Sequence, residues 1–274
     1  MLSALRLGRL GCCITLAVLF ASLLATPAAG TLGCSYNPGT RTVNLFILES
    51  VGTATIYVAA DEQIKARFDA TPHDCNATTS QALHFNIDGS SGADVFQIDQ
   101  GGPGGNFPHS RDWDVDMSTE IDMGSVDVVR VLGRPVTDRV YVNKLSQGTA
   151  TVDVIDSNGD GTVNVFLQEV ERVGIRSLGG NDRIGVSGSA YGALGALEPA
   201  RLPLTLKSGS GNDELTGGIK SDTEVAGPGN DDLSGGAGPD LLKGQGGSDR
   251  LNGNAGSDIC SGGPGADTLI ACEH

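Results

Sequence analysis

The chain has 274 residues, of which 41 are Gly, 11 Pro and 12 aromatic, and it carries a formal charge of −15. So much Gly argues against a large helical core, because each Gly in a helix interior costs about 1 kcal/mol, and the Pro content is too low for collagen or a Pro-rich linker. The acidic balance makes a poor binder of nucleic acid or anionic lipid and a plausible binder of hard cations, which want many oxygens.

Residues 1–30 read as a secretory signal rather than as part of the fold. Arg6 and Arg9 are their only charges, an apolar run follows from Cys12 to Leu24, and small residues close the segment at Ala28, Ala29 and Gly30. The apolar run falls short of the roughly 20 residues that span a bilayer, so no membrane span is expected after cleavage behind Ala28 or Gly30. The chain is thereby expected to be secreted. Cys12 and Cys13 leave with the signal, and Cys34, Cys75, Cys260 and Cys272 remain. Four cysteines in an exported chain allow three pairings. Sequence proximity favours Cys34–Cys75 and Cys260–Cys272, with free buried thiols as the alternative.

Residues 31–205 form a β-rich region with no convincing helix. Short β-like runs occur at Ala54–Val58, Val126–Leu132, Arg139–Val142, Thr149–Ile155, Val163–Leu167 and Val170–Leu178, separated by turn residues such as Gly133-Arg134-Pro135 and Gly179-Gly180. Short strands at fairly even spacing suit a sandwich, a barrel or a solenoid. Asp112, Asp114 and Asp116 alternate around Trp113 and would project to one side of a strand, as a solvated edge or a cation or sugar contact. Asp156, Asn158 and Asp160 open like an EF-hand loop, but the twelfth position is Leu167 instead of Glu and both flanks read as strand. A hairpin turn using Asn-Gly and Asp-Gly chemistry is favoured there, with a calcium loop of another kind as the alternative. Asn76-Ala77-Thr78 is an N-glycosylation sequon.

From Ser208 to Ile270 the chain divides into seven nine-residue units without insertion: SGSGNDELT, GGIKSDTEV, AGPGNDDLS, GGAGPDLLK, GQGGSDRLN, GNAGSDICS and GGPGADTLI. The sixth position is Asp in all seven, at Asp213, Asp222, Asp231, Asp240, Asp249, Asp258 and Asp267. The fourth is Gly except for Lys220, and the eighth is Leu except for Glu224 and Cys260. A fixed period marks a stacked repeat architecture. Gly at positions two and four permits φ > 0, so the backbone can curl and aim carbonyl oxygens at one point. Asp at position six adds charged oxygen, and by strand alternation the eighth residue points inward. One unit cannot bury its single Leu, whereas a stack buries a column of them.

These units resemble the GGxGxDxUx nonapeptide of the RTX, or haemolysin-type, calcium-binding repeats. Gly89–Gln97 with Asp94, and Ser177–Gly185 with Asp182, look like degenerate single copies, which suggests that the middle of the chain is a decayed version of the same solenoid. The resemblance implies an all-β fold, a parallel β-solenoid ending in a calcium-bound β-roll over 206–274. Two units would make one coil, so like turns would recur every 18 residues. One side would stack Asp213, Asp231, Asp249 and Asp267, and the other Asp222, Asp240 and Asp258. Neighbouring turns would share Ca2+ between carboxylates and turn carbonyls, and binding would be coupled to folding. Lys220 and Glu224 fall in one unit, so the Asp222 turn is expected to be weak and Glu224 to lie near a coil end or a water-filled gap. Cys260 takes an inward slot one coil from the end, where a bond to Cys272 would cap the roll. No His-Glu-x-x-His or Gly-x-Ser-x-Gly occurs. The expected role is therefore calcium binding with a structural or surface-interaction purpose. The alternative is a secreted enzyme, polysaccharide-active or another hydrolase or lyase, with its catalytic part in 31–205.

Overall fold

The computed structural model describes residues 32–47, 53–68, 71–78, 80–82, 84–88, 95–99, 112–116, 128–133, 139–147, 150–156, 165–168, 170–186 and 197–273. The segment 1–30, together with Asp94, Asn158 and Asp160, lies outside them. Among the described residues every regular element is a strand. The strands form one sheet of 13 and one of ten. The chain crosses from one to the other as it advances, so the sheets are the two walls of a solenoid with a single apolar core between them.

Alternation builds the walls. Gln63–Phe68 buries every second residue, and Thr42–Ile47 and Arg172–Arg176 do the same. From Thr53–Val58 to Ile259–Ser261 the ten-stranded wall is paired in parallel, strand on strand along the stack. Its register lines up Ile56, Ile98, Val131, Ile175, Leu206, Glu224, Leu242 and Cys260 as one inward column. The opposite wall lines up Ile184, Leu215, Leu233, Leu251 and Leu269. Each fully buried aliphatic side chain in such a column is worth about 1.5–3 kcal/mol.

The coil length changes along the chain. Val131 pairs with Ile175 and Ile175 with Leu206, so upstream coils are long and uneven. Leu206 then pairs with Glu224, Glu224 with Leu242 and Leu242 with Cys260, a constant step of 18 residues. Two nonapeptides therefore make one coil, and the solenoid narrows into a regular roll. Upstream irregularity includes antiparallel pieces that a purely parallel solenoid lacks. Leu32–Asn37 folds back on Thr42–Ile47, because Asn37-Pro38-Gly39-Thr40 makes a turn in which Asn37 Oδ1 accepts the Gly39 amide at 2.9 Å. Thr53–Val58, Gln63–Phe68 and Thr71–Thr78 form an antiparallel meander at the same end. Arg139–Gln147, Ala150–Asp156 and Val165–Gln168 form another within the larger sheet. Asp156 thus ends a strand paired with Val165–Gln168, and strands flank the EF-like segment as its sequence indicates. Asp112–Asp116 is likewise a strand, between His84–Asp88 and Val165–Gln168.

Both expected disulfides are present. Cys34–Cys75 ties the two walls together at the N-terminal end, with Cα atoms 4.8 Å apart. Cys260–Cys272 closes the last coil at 5.7 Å. Glu224 departs from expectation. It lies at neither a coil end nor a gap but inside the column between Leu206 and Leu242, with 0 % exposure. Its strand keeps the 18-residue register, and alternation then leaves the side chain nowhere else to point.

Candidate metal site in the stacked turns

Each unit turns just ahead of its Asp and becomes a strand from its seventh residue, and four of these strands, Thr223–Pro228, Asp232–Ala237, Leu241–Gly246 and Arg250–Ala255, run on through the first three residues of the next unit. In six of the seven units positions two and four both have positive φ, from Gly209 (103°) and Gly211 (134°) to Gly263 (100°) and Gly265 (154°). Gln245 and Asn254 adopt this conformation at position two without being Gly, with φ of 81° and 66°. The second unit is the exception: neither Gly218 nor Lys220 has positive φ. At position four a Cβ would run into a carbonyl of the coil below, as Gly247 would against the Gly229 oxygen. The glycines are therefore needed for conformation and for close stacking, and they leave the turn carbonyls of successive coils in file along the roll.

The aspartates form two ladders. On one side the amide of Asp182 donates to Asp213 Oδ1 (2.8 Å), Asp213 to Asp231 (2.8 Å), Asp231 to Asp249 (3.0 Å) and Asp249 to Asp267 (3.0 Å). On the other, the Leu204 amide donates to Asp222 Oδ1 (2.7 Å), Asp222 to Asp240 (2.8 Å) and Asp240 to Asp258 (2.9 Å). The backbone carbonyls join in: those of Asp213, Asp231 and Asp249 accept the amides of Asp232, Arg250 and Thr268 in the next coil. The structure thus stacks all seven repeat aspartates in the two expected rows. It also adds Asp182 to the first row, at a 31-residue step instead of 18. An outer ladder went unread in the sequence. The Asn212 amide donates to Asn181 Oδ1, Asn230 to Asn212 and Ser248 to Asn230, at 2.7–2.9 Å. Asn at the fifth position of the first and third units, and again at Asn181, was its signal.

One oxygen of each inner carboxylate is left over. Oδ2 of Asp213, Asp231, Asp240, Asp249 and Asp258 is buried without a hydrogen-bond partner. A buried ionised carboxylate without compensation is costly, and the acidities register it. Burial pushes Asp240 up to about 7, with the like charges of Asp222 and Asp258 adding to it and the Asp222 amide offsetting part. Burial likewise raises Asp231 to about 6 and also lifts Asp249. Asp222 is raised to about 6 by burial, although the amides of Leu204 and Gly218 both hold it, the latter on Oδ2 at 2.6 Å. Glu224 is raised furthest, to about 8, by burial first and then by Asp222 and Asp240.

Orphaned carboxylate oxygens, regularly spaced and beside files of turn carbonyls, fit a hard cation with oxygen ligands. Among the described residues no three Asp, Glu, His or Cys side chains converge on one point. A zinc-type cluster is therefore missing there, and any ion held in the turns would draw most of its ligands from the backbone. That again suits calcium, which takes six to eight oxygens in irregular geometry, better than magnesium.

Comparison with known families agrees with this geometry. Residues 207–242, 225–260 and 234–269 each match the RTX calcium-binding nonapeptide repeat, four copies to a match. No curated protein and no solved structure matches the chain. Residues 207–269 thus match the RTX calcium-binding nonapeptide repeat and fold as a parallel β-roll, as their aspartate ladders record.

Proposed function

We propose that the chain is an extracellular calcium-binding protein whose roll completes its folding on binding Ca2+ and serves a structural or surface-interaction role. The observation that carries this reading is the row of buried, unpartnered Oδ2 atoms on Asp213, Asp231, Asp249, Asp240 and Asp258. Asp267 closes the first row and Asp222 opens the second. When bound, Ca2+ supplies positive charge between adjacent turns. The chain's own residues do the rest. Oδ1 of each aspartate fixes the coil below it, the positive-φ positions aim the carbonyls, and the Leu column keeps water out of the interior. Ions bound by the folded roll and not by the open chain stabilise it by mass action.

Two disulfides support an oxidising compartment, as does the signal-like segment 1–30. Among the described residues no helix is long and apolar enough to cross a membrane. A surface role is supported by a groove of about 570 Å³ on the ten-stranded wall, lined by Arg130, Arg172, Arg176 and Lys207 among others. Among the described residues that line it, the charged ones are all basic.

Circular dichroism and thermal melting of chelated protein, titrated with calcium, test the proposal. The β signal and the melting temperature should rise together, with magnesium a poor substitute. No response up to millimolar calcium overturns it.

A further inference from the structure

The outer face of the ten-stranded wall carries cations that the fold does not use. Arg130, Arg172, Arg176 and Lys207 project from three neighbouring strands, Val128–Leu132, Arg172–Arg176 and Leu204–Lys207. Alternation puts them outside, because Val129, Val131, Val173, Ile175, Leu204 and Leu206 take the inward positions. All four are exposed, and none makes an ion pair or a side-chain hydrogen bond among the described residues. The opposite wall treats its cations differently: Arg183 pairs with Glu214 and Arg250 with Asp232, each at 2.9 Å. Asp99, in register with Leu132, is taken by Arg67 at 3.6 Å. Glu171, just ahead of Arg172, is exposed but does not line the groove. A chain with 33 acidic and 18 basic residues thus gathers four unpaired cations in one place.

These cations surround a dip. Gly174 holds the outward position between Arg172 and Arg176, in register with Arg130 on one side and Thr205 on the other. With no side chain there, a groove of about 570 Å³ opens across four adjacent strands, from Gln97 to Lys207. Its lining defines what fits. Three of the four cations are Arg, whose planar guanidinium takes a carboxylate through two parallel hydrogen bonds. Gln97 and Thr205 add an amide and a hydroxyl, which exchange hydrogen bonds with neutral hydroxyls. Val128 and Leu132 add small apolar patches. Among the described lining residues there is no aromatic ring, so the stacking platform of a single-stranded nucleic-acid site is missing. The net charge of −15 also opposes so densely charged a polyanion. The groove crosses strands about 4.8 Å apart, which suits an extended polymer with carboxylates, hydroxyls and apolar ring faces.

We propose that this groove binds an acidic polysaccharide of the uronic-acid type. Arg130, Arg172, Arg176 and Lys207 hold its carboxylates, and Gly174 leaves room for a sugar ring between them. The inference gives the surface-interaction reading a partner class and rests on that reading.

The test is calorimetric titration of the full chain, in saturating calcium, with tetragalacturonate, which is too short to gel with the ion. A neutral glucose tetrasaccharide and phosphatidylserine vesicles are the comparisons. Wild type should bind tetragalacturonate, and added salt should weaken the binding. Arg172→Gln and Arg176→Gln should each weaken it roughly tenfold, the worth of one charge-assisted contact. Arg250→Gln on the opposite wall should leave it unchanged. Gly174→Val fills the dip without changing charge and should weaken it too, which a diffuse attraction would not show. The Arg variants should melt with wild type, because their side chains are exposed. No binding by wild type, equal affinity for the neutral tetrasaccharide, or losses no larger than that of Arg250→Gln overturn the proposal. Binding of the vesicles instead of tetragalacturonate overturns the polysaccharide class. Melting of the same samples with and without calcium separates the two claims. A retained calcium response with an inert groove sinks the groove assignment alone, and a missing response sinks the calcium reading whatever the groove binds.

Discussion

Asp213, Asp231, Asp240, Asp249 and Asp258 each use Oδ1 to hold the neighbouring coil and leave Oδ2 buried and unpartnered, so removing one of them acts twice. Asp249 shows this best: its Oδ1 accepts the Asp231 amide, and its own amide donates to Asp267. Asp249→Ala strands a buried amide, which costs about 1–3 kcal/mol, and deletes charge between two intact turns. Asp267 ends the row and is less buried, with no coil beyond it to hold. Asp249→Ala should therefore raise the calcium midpoint and lower the melting temperature in calcium clearly more than Asp267→Ala, as parallel titrations would show. Equal losses would mean that the turns do not act in pairs. The same carboxylates set a pH dependence. The folded values of about 6 for Asp231 and about 7 for Asp240 lie above the ordinary Asp value, so the calcium-free roll binds more protons than the open chain does. Its stability is then greatest below about pH 4 and declines as pH rises through 6 to 7. Calcium competes with those protons, so its apparent affinity should climb over that window and binding should release protons. Calorimetry in buffers of different ionisation heats measures the release. A pH-independent midpoint between 5 and 8 would contradict the assignment.

At the scale of the element, the repeat trades side chains for close stacking. Gly246 ends the strand Leu241–Gly246, Gly247 follows it into the turn, and the two differ in what surrounds them. A Cβ on Gly246 meets nothing within 4 Å, whereas Gly247 has φ of 137° and faces the Gly229 carbonyl oxygen. Gly247→Ala combines an unfavourable backbone conformation with a steric overlap, at a cost of about 2 kcal/mol or more. Gly246→Ala should stay within about 0.5 kcal/mol. Denaturant unfolding of the two variants in saturating calcium compares them directly. The contrast also explains what the sequence could reveal about these elements. Asp at every ninth residue and Gly two places before it in six units announce the two rows of turns, because one geometry repeated many times leaves a statistical trace. The Asn37-Pro38-Gly39-Thr40 hairpin and the Thr71–Thr78 strand, which holds Pro72, left no such trace, since each occurs once. Glu224 was legible as an anomaly but not as a core residue. A charged side chain normally argues for exposure, and here the 18-residue register of its neighbours overrides that preference.

Across the whole molecule, one continuous pair of walls is held together by two different means. Upstream, the interior is filled by large side chains: Phe85, Phe96, Ile56, Ile64 and Ile98 are among the most buried groups, and Cys34–Cys75 links the walls. That half has the apolar surface and the cross-link of an ordinary β-fold. In the roll the interior thins to little more than one column of large side chains per wall, Leu215, Leu233 and Leu251 on one and Leu206, Glu224 and Leu242 on the other. The rest of each coil is Gly, turn and carboxylate, and at the C-terminal end Ile259, Leu269 and Ile270 remain 39–60 % exposed. Too little apolar area is buried there to balance an ordering cost of about 1–2 kcal/mol per residue, and the aspartate rows repel one another besides. Cys260–Cys272 offsets part of this with a 12-residue closure worth roughly 3 kcal/mol, but only at the last coil. Chelation should therefore open the molecule unevenly. Amide hydrogen exchange in chelator should show protection lost from about Leu204 to Thr268, first in the coils around Asp231 and Asp240, which are furthest from both the upstream core and the disulfide. The strands from Thr53–Val58 to Arg172–Arg176 should keep theirs. Restoring calcium should return the roll to full protection without altering exchange upstream. Uniform loss across both parts, or protection of the roll unchanged by chelation, would show that the two share one source of stability.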